Sequence, residues 1–209
     1  MVTPRAGAGL ALAVLGLLAG VLAGCSSGEQ KAAPTPRPTP VARLNTAALQ
    51  VPRIDFCRLV PTTAVRQALD GRADTAASYS NGDREPVSGS GTDVVQEIGC
   101  RWGTSAGTTA RAWLFARPVE DAFARRVVAQ AATTRGCRSV PGASYGAPSL
   151  TQVCRLADGT SRVRRAGLFG QTWLSCELAA PAARTPDARL RARADAWCVE
   201  VANALNTAR

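Results

Sequence analysis

Histidine is absent from this 209-residue chain, and lysine occurs once, at Lys31, among 25 basic residues. Without histidine, Ser-His-Asp and Cys-His catalysis are excluded in their usual forms. The commonest zinc ligand is missing as well. No Cys-x-x-Cys pair occurs, so neither a thioredoxin-like redox site nor a zinc ribbon is indicated. Gly89-Ser90-Gly91-Thr92 lacks the lysine of a phosphate-binding loop, which argues against a nucleotide site. After residue 24 there is no further long apolar run, so no second segment reads as a membrane span.

What is present begins with an address. Arg5 supplies a basic start, and residues 6–24 are apolar and free of charge. This is the layout of a signal peptide. The run ends in Leu22-Ala23-Gly24-Cys25, followed by Ser26 and Ser27. That order resembles a bacterial lipobox, in which the cysteine thiol receives a diacylglycerol and the preceding peptide is removed. Ala23 and Gly24 are small enough for the scissile bond to enter the peptidase. The expectation is a lipoprotein signal peptide over 1–24 and lipidation at Cys25. Two acyl chains hold stably, since each buried methylene contributes about 0.8 kcal/mol. The predicted location is the extracytoplasmic face of the cell membrane, lipid-anchored.

Residues 25–43 read as the lipidated cysteine and a tether. Pro34, Pro36, Pro38 and Pro40 alternate, which blocks helix and favours an extended polyproline spacer. A single extracytoplasmic domain is expected over 44–209.

Setting Cys25 aside from the seven cysteines leaves six. An even number in an exported chain argues for disulfides, although six cysteines allow fifteen pairings. Consecutive pairing is favoured: Cys57–Cys100, Cys137–Cys154 and Cys176–Cys198. Each bridge closes a moderate loop, contributing about 3 to 4 kcal/mol in the chain-entropy model.

Periodicity gives a coarse map. Residues 61–71 read as a first helix, with Val65 and Leu69 on one side and Asp70-Gly71 as its stop, the glycine accepting the left-handed conformation. Tyr79–Thr92 is polar and turn-rich and reads as a mobile loop. Val94, Gln96, Ile98, Cys100 and Trp102 alternate onto one face of a strand, which a turn returns through residues 108–117 as a hairpin. A second helix is expected over 118–136, with Pro118 at its first position and Val119, Phe123 and Val127 in a row. Three strands follow, over 149–158, 161–169 and 172–179, turning at Asp158-Gly159 and Gly170-Gln171. The terminal helix covers 185–206, capped by Thr185. Leu190, Ala194, Trp197, Cys198, Val201 and Leu205 form its stripe. The fold class is α+β, an antiparallel sheet with about three helices packed on one face, stapled by disulfides. Residues 94–135 and 161–206 each read as hairpin then helix, a faint duplication.

Cys57, Leu59, Val65, Leu69 and Gly71, followed by Cys100 and Trp102, carry a resemblance. Over roughly residues 54–206 the chain resembles the actinobacterial lipoproteins that carry a secreted domain of unknown function. Their pattern is a Cys-x-Leu-Leu helix start and a Cys-x-Trp strand. The resemblance implies a Cys57–Cys100 bridge and an envelope location, and it brings no catalytic residues.

The carboxylates in expected elements are Glu97, Glu120, Asp121, Glu177 and Glu200, and nothing in the sequence brings two together. Glu120 and Asp121 suit a helix start; Glu97 and Glu177 are read as facing solvent. Trp102, Trp173 and Trp197 are assigned to the core, and Trp113 is the tryptophan expected to be exposed. Arg162, Arg164 and Arg165, and Arg189, Arg191 and Arg193, are read as solvated faces, with Asp187 pairing to Arg191. The +10 formal charge is attributed to a GC-rich coding bias more than to a selected basic surface. Taken alone, the sequence points to an envelope lipoprotein with a non-catalytic ligand- or partner-binding domain. No catalytic residue, cofactor or metal is expected. The partners are the membrane through the anchor and an anionic wall polymer or envelope protein, not nucleic acid. The alternatives are a carboxylate-dependent hydrolase of wall polymers and a structural or regulatory subunit of an envelope complex.

Overall fold

The structure is a computed structural model that describes residues 39–87 and 91–207. The expected signal peptide, Cys25 and the tether up to residue 38 lie outside the described residues. The folded part begins earlier than residue 44: Val41, in a short 3-10 turn over Val41–Arg43, is buried in the main core.

In chain order the elements are α1 (Thr62–Leu69), β1 (Thr75–Tyr79), β2 (Arg84–Val87), β3 (Gly91–Val94), β4 (Glu97–Gly103), β5 (Thr109–Phe115), α2 (Asp121–Ala132), β6 (Cys137–Ser139), β7 (Ser149–Arg155), β8 (Thr160–Phe169), β9 (Thr172–Pro181) and α3 (Asp187–Asn206). Seven strands form one sheet in the order β1-β4-β5-β9-β8-β7-β6. Every neighbouring pair is antiparallel. The hairpin β2–β3 stands apart as a two-stranded ribbon. The α+β antiparallel class expected from the sequence is the fold observed.

Strand alternation sorts the sheet into two faces. The first carries Cys100, Ala112, Leu114, Val163, Leu174, Cys176 and Leu178, all buried. α3 lays Leu190, Ala194, Trp197, Cys198, Val201 and Leu205 on that face, the stripe read from the sequence. Each fully buried leucine there stabilises by about 1.5 to 3 kcal/mol. α1 joins the same core through Ala64, Val65, Ala68 and Leu69. α1 stops at the expected Asp70-Gly71, but Asp70 rather than the glycine takes the left-handed conformation, φ 58° and ψ 37°. Its carboxylate then accepts from Arg189 of α3 at 2.7 Å, tying the end of one helix to the side of the other.

The expectation that all helices share one face is corrected. α2 covers the second face, where Ala124, with Val119 just before the helix, packs on Leu150, Ala166, Leu168 and Trp173. The two hairpin-helix units therefore put their helices on opposite faces, and the suggested duplication has no counterpart in the packing. α2 begins at Asp121 behind Glu120, not at Pro118, and Phe123 is 43% exposed. α3 likewise begins at Asp187 with Pro186 at its cap, one residue beyond the Thr185 cap expected.

The six cysteines pair consecutively, with sulfurs at bonding distance: Cys57–Cys100 at 2.05 Å, Cys137–Cys154 at 2.12 Å and Cys176–Cys198 at 1.83 Å. The first ties the segment before α1 to β4, the second joins β6 to β7, and the third fixes α3 on β9. Among the described residues no helix is long and apolar enough to cross a membrane.

Candidate functional site: a groove beside an arginine–tryptophan cluster

The second face is where the chain leaves polar groups enclosed. On β5 the small and apolar Ala110, Ala112 and Leu114 point to the main core, so Arg111, Trp113 and Phe115 point the other way. Register sets Arg101, Gly99 and Glu97 of β4 beside them on one flank, and Glu177 and Ser175 of β9 on the other. Arg162 and Arg164 of β8 extend the same surface. Gly99 leaves room for its neighbours: an added Cβ would lie 2.4 Å from the Tyr79 ring and 2.9 Å from the Trp113 Cβ.

Of the segment read as a mobile loop, residues 88–90 lie outside the described residues, and most of the described ones are strand. Tyr79 ends β1, and Arg84–Val87 pairs with Gly91–Val94. The ribbon is held at its base by backbone bonds from Gly82 N to the Val95 carbonyl and from Val95 N to the Asp83 carbonyl. Glu85 accepts from the Arg101 guanidinium at 2.8 Å. Because Arg101 lies on the second face, this ion pair draws the ribbon over that face.

Between the ribbon and the start of α2 runs an open groove of about 850 Å³. Glu97 and Phe115 form its floor, Asp93 to Gln96 one wall, and Arg117 to Glu120 with Phe123 and Arg126 the other. Val94 and Phe123 are 42% and 43% exposed, so apolar surface faces solvent on both sides. Phe115 meets Phe123 edge-on at 6.4 Å between ring centres. The Arg126 guanidinium lies over Phe123 at 5.5 Å. The volume is within the range of small-molecule clefts, and the lining combines apolar side chains with Asp93, Glu97, Arg117, Glu120 and Arg126.

Glu97 links the groove to the charged cluster. Tyr79 donates its hydroxyl to the Glu97 carboxylate at 3.5 Å. Burial pushes the Glu97 carboxyl above its ordinary range, with Arg111 and Arg164 acting in the opposite sense. Burial first, then the Glu97 charge, pushes the Tyr79 phenol up as well. Trp113 is not the exposed tryptophan expected; it is 7% exposed. Arg164 lies 4.9 Å and Arg111 5.2 Å from its ring centre. Arg164 also donates to the Ser175 hydroxyl at 3.3 Å. Burial lowers the Arg164 pKa while Glu177 supports the charge; a guanidinium still remains protonated. Arg162 reaches Glu177 at 3.5 Å, within ion-pair range, but among the described residues its Nε has no hydrogen-bond partner. The Nε atoms of Arg111 and Arg164 are buried and, among the described residues, also without one.

Several sequence expectations change here. Glu177 is 7% exposed and Glu97 is half-buried, so neither is turned to solvent. Arg162 and Arg164 are half-buried, and Arg165 is buried on the first face. There it donates to Asp195 at 2.6 Å and to Thr151 at 2.9 Å. Asp187 pairs with Arg155 at 2.9 Å rather than Arg191. Glu120 and Asp121 do stand at the α2 start, and Glu120 also lines the groove. Glu200 is on α3, outside the buried stripe, and is half-buried. Trp173 and Trp197 are core residues, and Trp102 packs edge-on against Trp197 at 5.4 Å. Tyr79, Arg111, Phe115, Arg117 and Arg126 were not singled out by the sequence. The period-two pattern of β5 carries a signal for two of them, placing Arg111 and Phe115 with Trp113. Among the described residues no group of three His, Cys, Asp or Glu is placed to hold a metal. No protein-family model matches the chain, and comparison with curated proteins gives no match.

Proposed function

We propose that this chain is a bacterial envelope lipoprotein of the actinobacterial kind it resembles. Cys25 anchors it at the extracytoplasmic face, and its domain binds a ligand without transforming it. The observation that supports binding most directly is the groove between the β2–β3 ribbon and α2. Val94 and Phe123 stand exposed on its opposite walls, over a floor of Phe115 and Glu97. Exposed apolar surface in a concave site is costly to leave wet and is relieved by an apolar occupant. The test is hydroxyl-radical footprinting of the full chain in isolated membranes and after purification with solvent extraction of small molecules. Phe123 and Phe115 are expected to oxidise more slowly in the membrane sample. Equal rates in both samples contradict an occupied groove.

One observation favours a second reading, a hydrolase acting on wall polymers. Glu97, with its raised pKa, shares the groove with Asp93 and Glu120. Two carboxyl groups facing one cleft are what general acid–base hydrolysis requires. Digestion of isolated wall polymer by the parent chain, lost in Glu97→Gln, supports this reading. Identical polymer profiles with and without the protein remove it.

A further inference from the structure

The second face holds more positive charge than its carboxylates neutralise by contact. Arg101 is matched by Glu85 at 2.8 Å and Arg162 by Glu177 at 3.5 Å. Among the described residues, Arg111 and Arg164 make no ion pair, and their Nε atoms are buried without a hydrogen-bond partner. Glu177 stands beside both in register and supports the Arg164 charge, but it already lies in ion-pair range of Arg162; the other carboxylate is Glu97, whose ionisation burial opposes. Enclosing two cations with so little compensation is unfavourable unless something else supplies negative charge. A guanidinium presents a planar fork of donors that matches an oxyanion.

The position of this pair relative to the groove narrows the ligand. β5 sets Arg111, Trp113 and Phe115 at successive same-face positions. Such residues are about 7 Å apart, so the cations lie roughly 7 to 14 Å along the strand from the groove floor. Trp113, buried with a guanidinium 5.2 Å and another 4.9 Å from its ring centre, stands between Arg111 and the groove-floor Phe115 on the strand. We infer that Arg111 and Arg164 form an oxyanion subsite continuous with the groove, and that the ligand is an amphiphilic anion with its apolar part between Val94 and Phe123. This deepens the binding reading and rests on it. The shared chemistry is an acyl or alkyl chain bearing a phosphate or carboxylate head.

The experiment is calorimetric titration of the full chain, in zwitterionic phosphatidylcholine nanodiscs, with octyl phosphate, octanoate and octyl glucoside. The parent chain is compared with Arg111→Gln/Arg164→Gln, with Arg111→Lys/Arg164→Lys and with Phe123→Asp. At least one octyl anion is expected to bind about tenfold to a hundredfold more tightly than octyl glucoside, the range of a hydrogen bond to a charged group. The glutamine pair is expected to lose that preference yet retain octyl glucoside binding, which shows that it is folded; the lysine pair keeps most of the preference. Comparison of octyl phosphate with octanoate identifies the head. Equal affinity for charged and neutral octyl ligands overturns the oxyanion subsite and leaves the groove reading intact, as does an anion preference that survives in the glutamine pair. Octyl binding that is absent, or indifferent to Phe123→Asp, overturns the groove reading itself.

Discussion

Glu97 is the residue at which the groove and the charged cluster meet, and its titration is measurable. Burial raises its pKa above the ordinary 4.5. A carboxyl raised on folding favours the protonated form, so its ionisation costs stability as pH climbs through the folded pKa. Below 4.5 both states hold the proton and the cost is absent. Glu97→Gln removes the cost. The Tm of this variant relative to the parent is therefore expected to rise between about pH 4 and about pH 7. A difference that is flat or falls with pH contradicts a buried, disfavoured carboxylate. Tyr145 offers a second residue-scale test. It is fully buried, packs edge-on to Phe169 at 5.2 Å and donates its hydroxyl to the Cys198 carbonyl at 2.9 Å. Tyr145→Phe is expected to cost about 1 kcal/mol in urea unfolding, the net worth of one buried hydrogen bond. No change at all says the bond contributes nothing.

The elements that the sequence made legible are those with one buried face. β4, β5, β7 and β8 alternate because a core lies behind them, β9 is an apolar run because both faces are covered, and α3 carries its full stripe for the same reason. β1 stayed hidden because Thr75 to Ser78 are all exposed on an edge strand, which leaves no apolar period to read. The β2–β3 ribbon is polar and exposed, so its residues resemble a loop until pairing is seen. Arg162 and Arg164 alternate on one face of β8 as expected, but periodicity does not say that α2 and the ribbon stand on that face. Arg165 turned out buried because its carboxylate partner, Asp195, comes from a helix 30 residues further along. Close packing between elements also has a sharp test at Gly167 in β8. A Cβ there would sit 1.6 Å from the Tyr145 carbonyl oxygen, and backbone cannot yield as a flexible side chain does. Gly167→Ala is expected to destabilise by about 3 kcal/mol or more in urea unfolding; a loss below about 1 kcal/mol contradicts the contact.

At the scale of the whole molecule, three bridges with sequence separations of 43, 17 and 22 residues hold the layers together. Each contributes about 3 to 4 kcal/mol in the chain-entropy model, so together they rival the stability of a whole domain. Cys176 and Cys198 are fully buried, whereas Cys57 and Cys137 are partly exposed. Under graded reductant, mass mapping of alkylated thiols is expected to find Cys176–Cys198 opened last; alkylation of Cys176 before Cys57 and Cys137 contradicts that order. The anchor assigned to Cys25 predicts that Cys25→Ala leaves the membrane fraction and no longer incorporates labelled lipid precursor. Continued incorporation contradicts lipidation at that thiol. The most direct test of a ligand-binding envelope lipoprotein is native mass spectrometry of the full chain released from its own membranes, parent beside Phe123→Asp. A discrete small-molecule adduct on the parent that Phe123→Asp has lost is the expected result. A bare parent chain, or the same adduct on both, contradicts it.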